Sequence, residues 1–142
     1  MAVSIERRYS TMNNPLHAIF LAGASTLFLS AALGDVAYAL TYEIQWANFA
    51  SWLIAGGLLF GGLAVVVLIF DSLSAGRRAP GIGWYGALLV AIWIVGFLNA
   101  LMHARDAWAS MPNALILSVI TIGLVCGAVW FGMRTPHVGV AR

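Results

Sequence analysis

Long apolar runs alternate with short polar breaks along this chain. Four runs, residues 16–40, 49–70, 82–102 and 114–133, reach the length that crosses a hydrocarbon core, about 20 helical residues for about 30 Å. The last three contain no Asp, Glu, Lys or Arg. A backbone in lipid has no water to bond, so each run is expected to close its own hydrogen bonds as an α-helix. The alternating ten-residue segments of a membrane β-barrel are absent.

The breaks carry helix punctuation. Asn14-Pro15 reads as an N-cap followed by a first-turn proline,. Gly76, Pro80, Gly81 and Gly83 fill the second connection, and Ser110 to Asn113, with Pro112, open the last helix,. The connections are short, so sequential helices should be antiparallel. The expected fold is all-α: an integral membrane four-helix bundle, up-down-up-down, forming a single domain over residues 1–142.

Composition agrees. Charged residues make up 8% of the 142 and hydrophobic ones 62%, against about 25% charged in soluble domains. So few charges cannot cover a small protein in water, which excludes a soluble domain or a disordered chain. The seven cations are all arginine, and six of them (Arg7, Arg8, Arg77, Arg78, Arg134, Arg142) fall on one side of the predicted bundle. Only Arg105 falls on the other. The positive-inside rule then places both termini in the cytoplasm and gives a multi-pass inner-membrane protein. The basic balance is thereby explained by topology, and no nucleic-acid partner is implied. Arg7 and Arg8 before an apolar run, with Ala37-Tyr38-Ala39 near its end as a small-residue cleavage site, also resemble a secretory leader,. The run is longer than a leader's 7–15-residue apolar region, which favours a span.

Aromatic residues sit where the two interfaces are expected: Tyr42, Trp46, Trp52 and Trp108 outside; Trp84, Tyr85 and Trp130 inside,. Gly57 and Gly61, with Ala50 and Ala64 on the same stripe, and Gly123 and Gly127 in the last span, are spaced for close helix packing,. That packing serves the bundle or, as the alternative, a homo-oligomer. Cys126 stands alone inside an apolar run and reads as a small packing residue,.

Ionisable groups beside membrane spans are functional candidates. Asn99, His103 and Asp106 fall at i, i+4 and i+7 on the third helix, at its outer end. Asp35, Tyr38 and Tyr42 form a matching stripe on the first, with Arg105 and Trp108 beside them. A histidine among carboxylates can move protons near neutral pH, and a quinone headgroup needs such donors beside an apolar slot. The alternative is an ion-pair network, Asp35 or Asp106 with Arg105, that only fixes bundle geometry. Haem b requires two ligands at one depth. His17 and His103 lie at opposite faces, which leaves His17 with His137 or Met133 at the cytoplasmic side. No phosphate-binding glycine loop, HExxH or nucleophile elbow is present, so hydrolysis and nucleotide chemistry have no residues to carry them.

The stretch Asn14-Pro15-Leu16-His17-Ala18-Ile19-Phe20 resembles the opening of a bacterial membrane-protein family, the domain-of-unknown-function 2231 family. Gly34-Asp35 and Ile69-Phe70-Asp71 resemble the acidic residues that close its first and second spans. His103-Ala104-Arg105-Asp106-Ala107-Trp108 is similar to a His-x-Arg-Asp-x-Trp stretch of one subgroup, and His137-Val138-Gly139-Val140 to its ending. The likeness covers nearly the whole chain. Many members carry a further histidine in the first span, where this chain has Ala22, and one early in the third, where Gly86 and Ala87 stand. The family has no settled activity; the resemblance implies an association with membrane redox systems, including periplasmic sugar dehydrogenases. The resulting expectation is an accessory or quinone-facing subunit of a redox system, without independent catalytic activity, docking a periplasmic dehydrogenase or other membrane subunits. The alternatives are a structural or assembly protein, or a small-solute channel.

Overall fold

A computed structural model describes residues 14–74 and 82–133. It contains α1 (Pro15–Thr41), α2 (Ile44–Ser74), α3 (Ile82–His103), the single turn α4 (Ala107–Ser110) and α5 (Asn113–Met133). The four longer helices are each long and apolar enough to cross a membrane. Helices α1, α3 and α5 begin and end within one residue of the runs read from sequence, whereas α2 extends its run by four residues at the end and five at the start. Gln45 and Asn48 interrupt the apolar run there, yet they extend the helix. At 31 residues α2 is about 46 Å long,, so it exceeds the hydrocarbon thickness.

Both ends of α1 are fixed by local chemistry. The Asn14 side-chain oxygen accepts the Leu16 backbone N–H at 3.0 Å, and Pro15 follows at the first helical position. The Asn14 amide donates to both oxygens of Asp71 at 3.0 Å, tying the start of α1 to the end of α2. At the other end Tyr42 adopts a left-handed conformation, φ 58°, and its N–H closes on the Tyr38 carbonyl at 2.8 Å. A non-glycine residue is strained there. Tyr42 is held by an edge contact to Tyr38 and by stacking on Trp108, with ring centroids 5.7 Å apart. Only Tyr42 and Glu43 separate α1 from α2.

The long helices form a ring in the order α1, α2, α3, α5, with α1 and α5 also in contact. Gly34 lies against Ala50 and Trp46, Gly57 against Phe28, and Gly23 against Phe60. Positions that rise along α1 therefore meet positions that fall along α2. Asn99 meets Ser118 while Leu88 meets Gly127, which gives the same opposition between α3 and α5.

Helices α1 and α3 face each other across the diagonal. Their buried stripes are His17, Leu21, Ala24, Phe28, Ala31, Asp35 and Tyr38 on α1, and Tyr85, Leu89, Ile92, Gly96 and Asn99 on α3. Three contacts fix their register: His17 with Tyr85, Phe28 with Gly96, and Asp35 with His103. The first and last span 68 residues of sequence each. One register held from end to end means that the two helices run parallel. At mid-bundle the Phe28 ring fills a notch between Gly57 of α2 and Gly96 of α3. A Cβ built at Gly57 would stand 2.9 Å from that ring, and one at Gly96 3.0 Å. Small residues here are what let three helices close on one aromatic ring.

Two packing expectations need correction. Cys126 is exposed on the outside of α5, because the buried stripe of that helix runs through Ser118, Thr121, Val125 and Ala128. Among the described residues Gly123 has no neighbour within 4 Å of its Cβ position, whereas a Cβ at Gly127 would lie 3.8 Å from Leu88 and one at Gly61 4.0 Å from Ala24.

Gly57→Val is expected to destabilise the bundle by about 1–3 kcal/mol through overpacking against Phe28. Gly123→Ala should be neutral or stabilising, because the site is open and alanine favours a helix. Thermal unfolding of both variants in the same lipid nanodisc checks the contrast.

Candidate functional site

Polar side chains collect at two levels of the bundle, 18 residues apart on α1. Eighteen residues make five helical turns and a rise of about 27 Å. His17 and Asp35 therefore share one face of α1, and Tyr85 and His103, also 18 apart, share one face of α3.

At the first level His17 is fully buried. Its Nδ1 lies 3.0 Å from the Ala64 carbonyl of α2 and its Nε2 2.7 Å from the Tyr85 hydroxyl of α3. A carbonyl only accepts, so Nδ1 carries the hydrogen; Nε2 of the neutral ring then accepts from the Tyr85 O–H. One imidazole thus joins three helices with both nitrogens engaged. Axial haem ligation would break one of these bonds. The expected partner His137 lies outside the described residues, and Met133, at the end of α5, is exposed. Tyr85, assigned from sequence to the interfacial aromatics, is instead a core residue, 4% exposed, because its hydroxyl completes this junction.

At the second level Asp35 is fully buried, at 0% exposure. Its Oδ1 lies 2.7 Å from His103 Nε2, and its Oδ2 accepts the Ser118 hydroxyl at 2.5 Å. Ser118 in turn accepts from the Asn99 amide Nδ2 at 2.7 Å. His103 Nδ1 donates to the Asn99 backbone carbonyl at 3.0 Å. With Nδ1 carrying a hydrogen, the Nε2–Oδ1 contact needs one more proton between its two atoms. The pair is then imidazolium with carboxylate, or neutral imidazole with carboxylic acid. Either way it is neutral overall, which lowers the cost of lying between apolar helices.

The structure brings Asp35, Asn99 and His103 together and adds Ser118 from α5. It separates Asp106 and Arg105 from them. The expected stripe continued α3 through Asp106, but the helix ends at His103 and both following charged residues are exposed. Arg105 approaches Met102 Sδ at 4.0 Å, and among the described residues the ion pair is His103 with Asp35, in place of an arginine bridge. Tyr38 is buried one turn beyond Asp35, while Trp108 is exposed and stacked on Tyr42. Among the described residues no three His, Cys, Asp or Glu side chains are grouped to hold a metal ion.

The sequence reading missed Ser118 and the true role of Tyr85. A signal existed: each helix of the diagonal pair carries two polar residues 18 positions apart, and 18 is a whole number of turns. Tyr85→Phe is expected to cost about 1–3 kcal/mol by leaving the His17 nitrogen unpaired. Chemical unfolding in detergent micelles measures it.

No curated protein and no solved structure matches the chain. The DUF2231 family, described as a predicted membrane protein, matches residues 13–139, a range that takes in both polar levels. The chain belongs to the DUF2231 family of membrane proteins.

Proposed function

We propose that this protein is an accessory subunit of a bacterial inner-membrane redox system, with the Asp35 end of the bundle facing the periplasm and exchanging a proton with a quinone headgroup. The observation that carries the reading is the 2.7 Å contact between His103 Nε2 and Asp35 Oδ1, a contact that shares one proton because Nδ1 donates to a carbonyl,. A quinone carbonyl gains a proton as it is reduced, and a buried donor poised between two bases can supply one. His103 is the last residue of α3. The chain beyond it is a turn, and turns open at lower cost than helices. Tyr42 and Trp108, stacked and exposed beside the buried Tyr38, offer an aromatic wall to a flat ring,. Arg105, Asp106 and Trp108, all exposed, supply the surface on which a periplasmic dehydrogenase would dock. The orientation rests on the six arginines at the opposite side,.

A structural reading is favoured by a separate observation: the network bonds α1, α3 and α5 to one another. On that reading the cluster holds the bundle's geometry and does no chemistry. Removing one partner of a buried pair costs about 3–5 kcal/mol, whereas replacing both with apolar residues is often neutral.

Two experiments separate the readings. The purified chain in lipid nanodiscs should quench its tryptophan emission on binding a short-chain ubiquinone. His103→Gln should weaken that binding about tenfold, the loss expected for one hydrogen bond to a charged group. Equal binding by wild type and variant, or none by either, would sink the quinone reading. In the second, Asp35→Leu should unfold more easily than the double variant Asp35→Leu/His103→Leu, as followed by circular dichroism. Full stability with lost quinone binding in the double variant places the pair's worth in chemistry. Retained binding places it in structure.

A further inference from the structure

The Asp35–His103 pair has an arm that proton sharing alone leaves unexplained. Apart from His103 Nδ1, which donates to the Asn99 backbone carbonyl, the side-chain donors of the cluster lead toward the carboxylate. Asn99 Nδ2 donates to Ser118 Oγ, Ser118 donates to Asp35 Oδ2, and His103 Nε2 meets Oδ1. That polarity leaves one loose end. Asn99 is 1% exposed, and its Oδ1 is the one buried side-chain polar atom without a hydrogen-bond partner among the described residues. A buried amide that abandons its better acceptor needs a reason.

The reason lies in what Ser118 can do. Its hydroxyl has one proton to give. While Oδ2 is an unprotonated acceptor, that proton goes to Asp35, and Asn99 must present its NH2 group to the serine oxygen. If Oδ2 carries a proton of its own, the direction reverses. Asp35 donates to Ser118, Ser118 donates onward, and Asn99 satisfies it only by presenting Oδ1. The two faces of the amide therefore correspond to two protonation states of Oδ2. Half a turn about the last side-chain torsion of Asn99 interchanges them, and the backbone stays in place.

We propose that Asn99 and Ser118 are positioning residues that form a reversible hydrogen-bond relay, in which a proton arriving on Asp35 Oδ2 redirects the Ser118 hydroxyl and rotates the Asn99 amide. The proposal rests on the reading that the pair exchanges protons. The incoming proton comes from the aqueous side and forms an O–H bond to Oδ2. A hydronium O–H bond breaks as the Oδ2–H bond forms and a water is released, Ser118 keeps its own proton, and the cluster's charge rises by one. The groups facing Asp35 are His103 and Asn99 from α3 and Ser118 from α5. Its own helix adds Tyr38 one turn on, and on α2 Ala50 and the Trp46 carbonyl lie beside neighbouring Gly34. The relay thus carries the state of a side chain on α1 into the contact between α3 and α5.

The test uses the full chain in lipid nanodiscs with isotope-labelled asparagine, followed by infrared difference spectroscopy as pH is lowered. The Asp35→Asn spectrum assigns the carboxyl band and Asn99→Leu assigns the amide band. In wild type the two bands should change together, with one midpoint. Ser118→Ala should keep the carboxyl change and silence the Asn99 amide, while Ser118→Thr, which retains the hydroxyl, should restore the coupling. A silent Asn99 beside a titrating Asp35 overturns the relay and leaves the proton-exchange reading standing. A cluster in which no carboxyl band changes at any pH that keeps the protein folded overturns both. An Asn99 response that persists in Ser118→Ala also overturns the relay, because the signal then travels by another route.

Discussion

A carboxylate enclosed by apolar helices must be neutralised where it stands, since no water can do so. Asp35 meets that constraint through one imidazole, and much of the bundle's geometry follows. His103 must reach across the diagonal from α3, which sets α1 and α3 parallel and in one register. Ser118 must come from α5 to cover the second oxygen, which closes the ring at that end. The other end is closed in the same way with a different pair of groups. There a neutral imidazole takes a phenol hydroxyl, and its remaining N–H goes to a main-chain carbonyl of α2. Lipid supplies no hydrophobic force to press helices together. Polar junctions at both ends and an aromatic knob among glycines at the centre do that work here.

The difference between the two junctions bears on function. The His17 junction contains no carboxylate and has each ring nitrogen matched to a fixed partner, so it has no second arrangement to move to. The Asp35 junction has a proton that belongs to neither partner alone, a serine that can point two ways and an amide with one face unused. A protein that needed only a brace could have repeated the first design at both ends. Placing the ambiguous one at the last residue of α3 puts it beside the turn at residues 104–106.

Much of the architecture was legible because membrane spans obey a one-dimensional rule. Length and apolarity alone place four helices, and the short breaks force neighbours to oppose. Asp35, His103 and Asn99 stood out because polar residues near a span are rare. Ser118 did not, because a serine among Leu117 and Val119 looks like any small residue that bonds its own helix. Its partner lies 83 residues away, and no local period reports a contact between helices. Arg105 and Asp106 were misplaced for the converse reason. A helical period carried three residues past His103 is a fiction once the helix has stopped, and the apolar run itself ends at residue 102. Tyr85 was misread because tyrosine suits an interface and a buried hydrogen bond equally well; its depth alone could not choose.

The five-turn spacing on α1 and α3 has a consequence for how this chain can vary. A helix acts as a screw of fixed pitch, and each junction is a key that enters only at one angle. Adding or deleting one residue between the keys turns one of them by about 100° and shifts it by about 1.5 Å, so it no longer meets its lock. The same length sets the keys about 27 Å apart, close to the thickness of the hydrocarbon layer. The spacing of the two polar junctions therefore works as a gauge block, cut to nearly the same length as the oil layer itself.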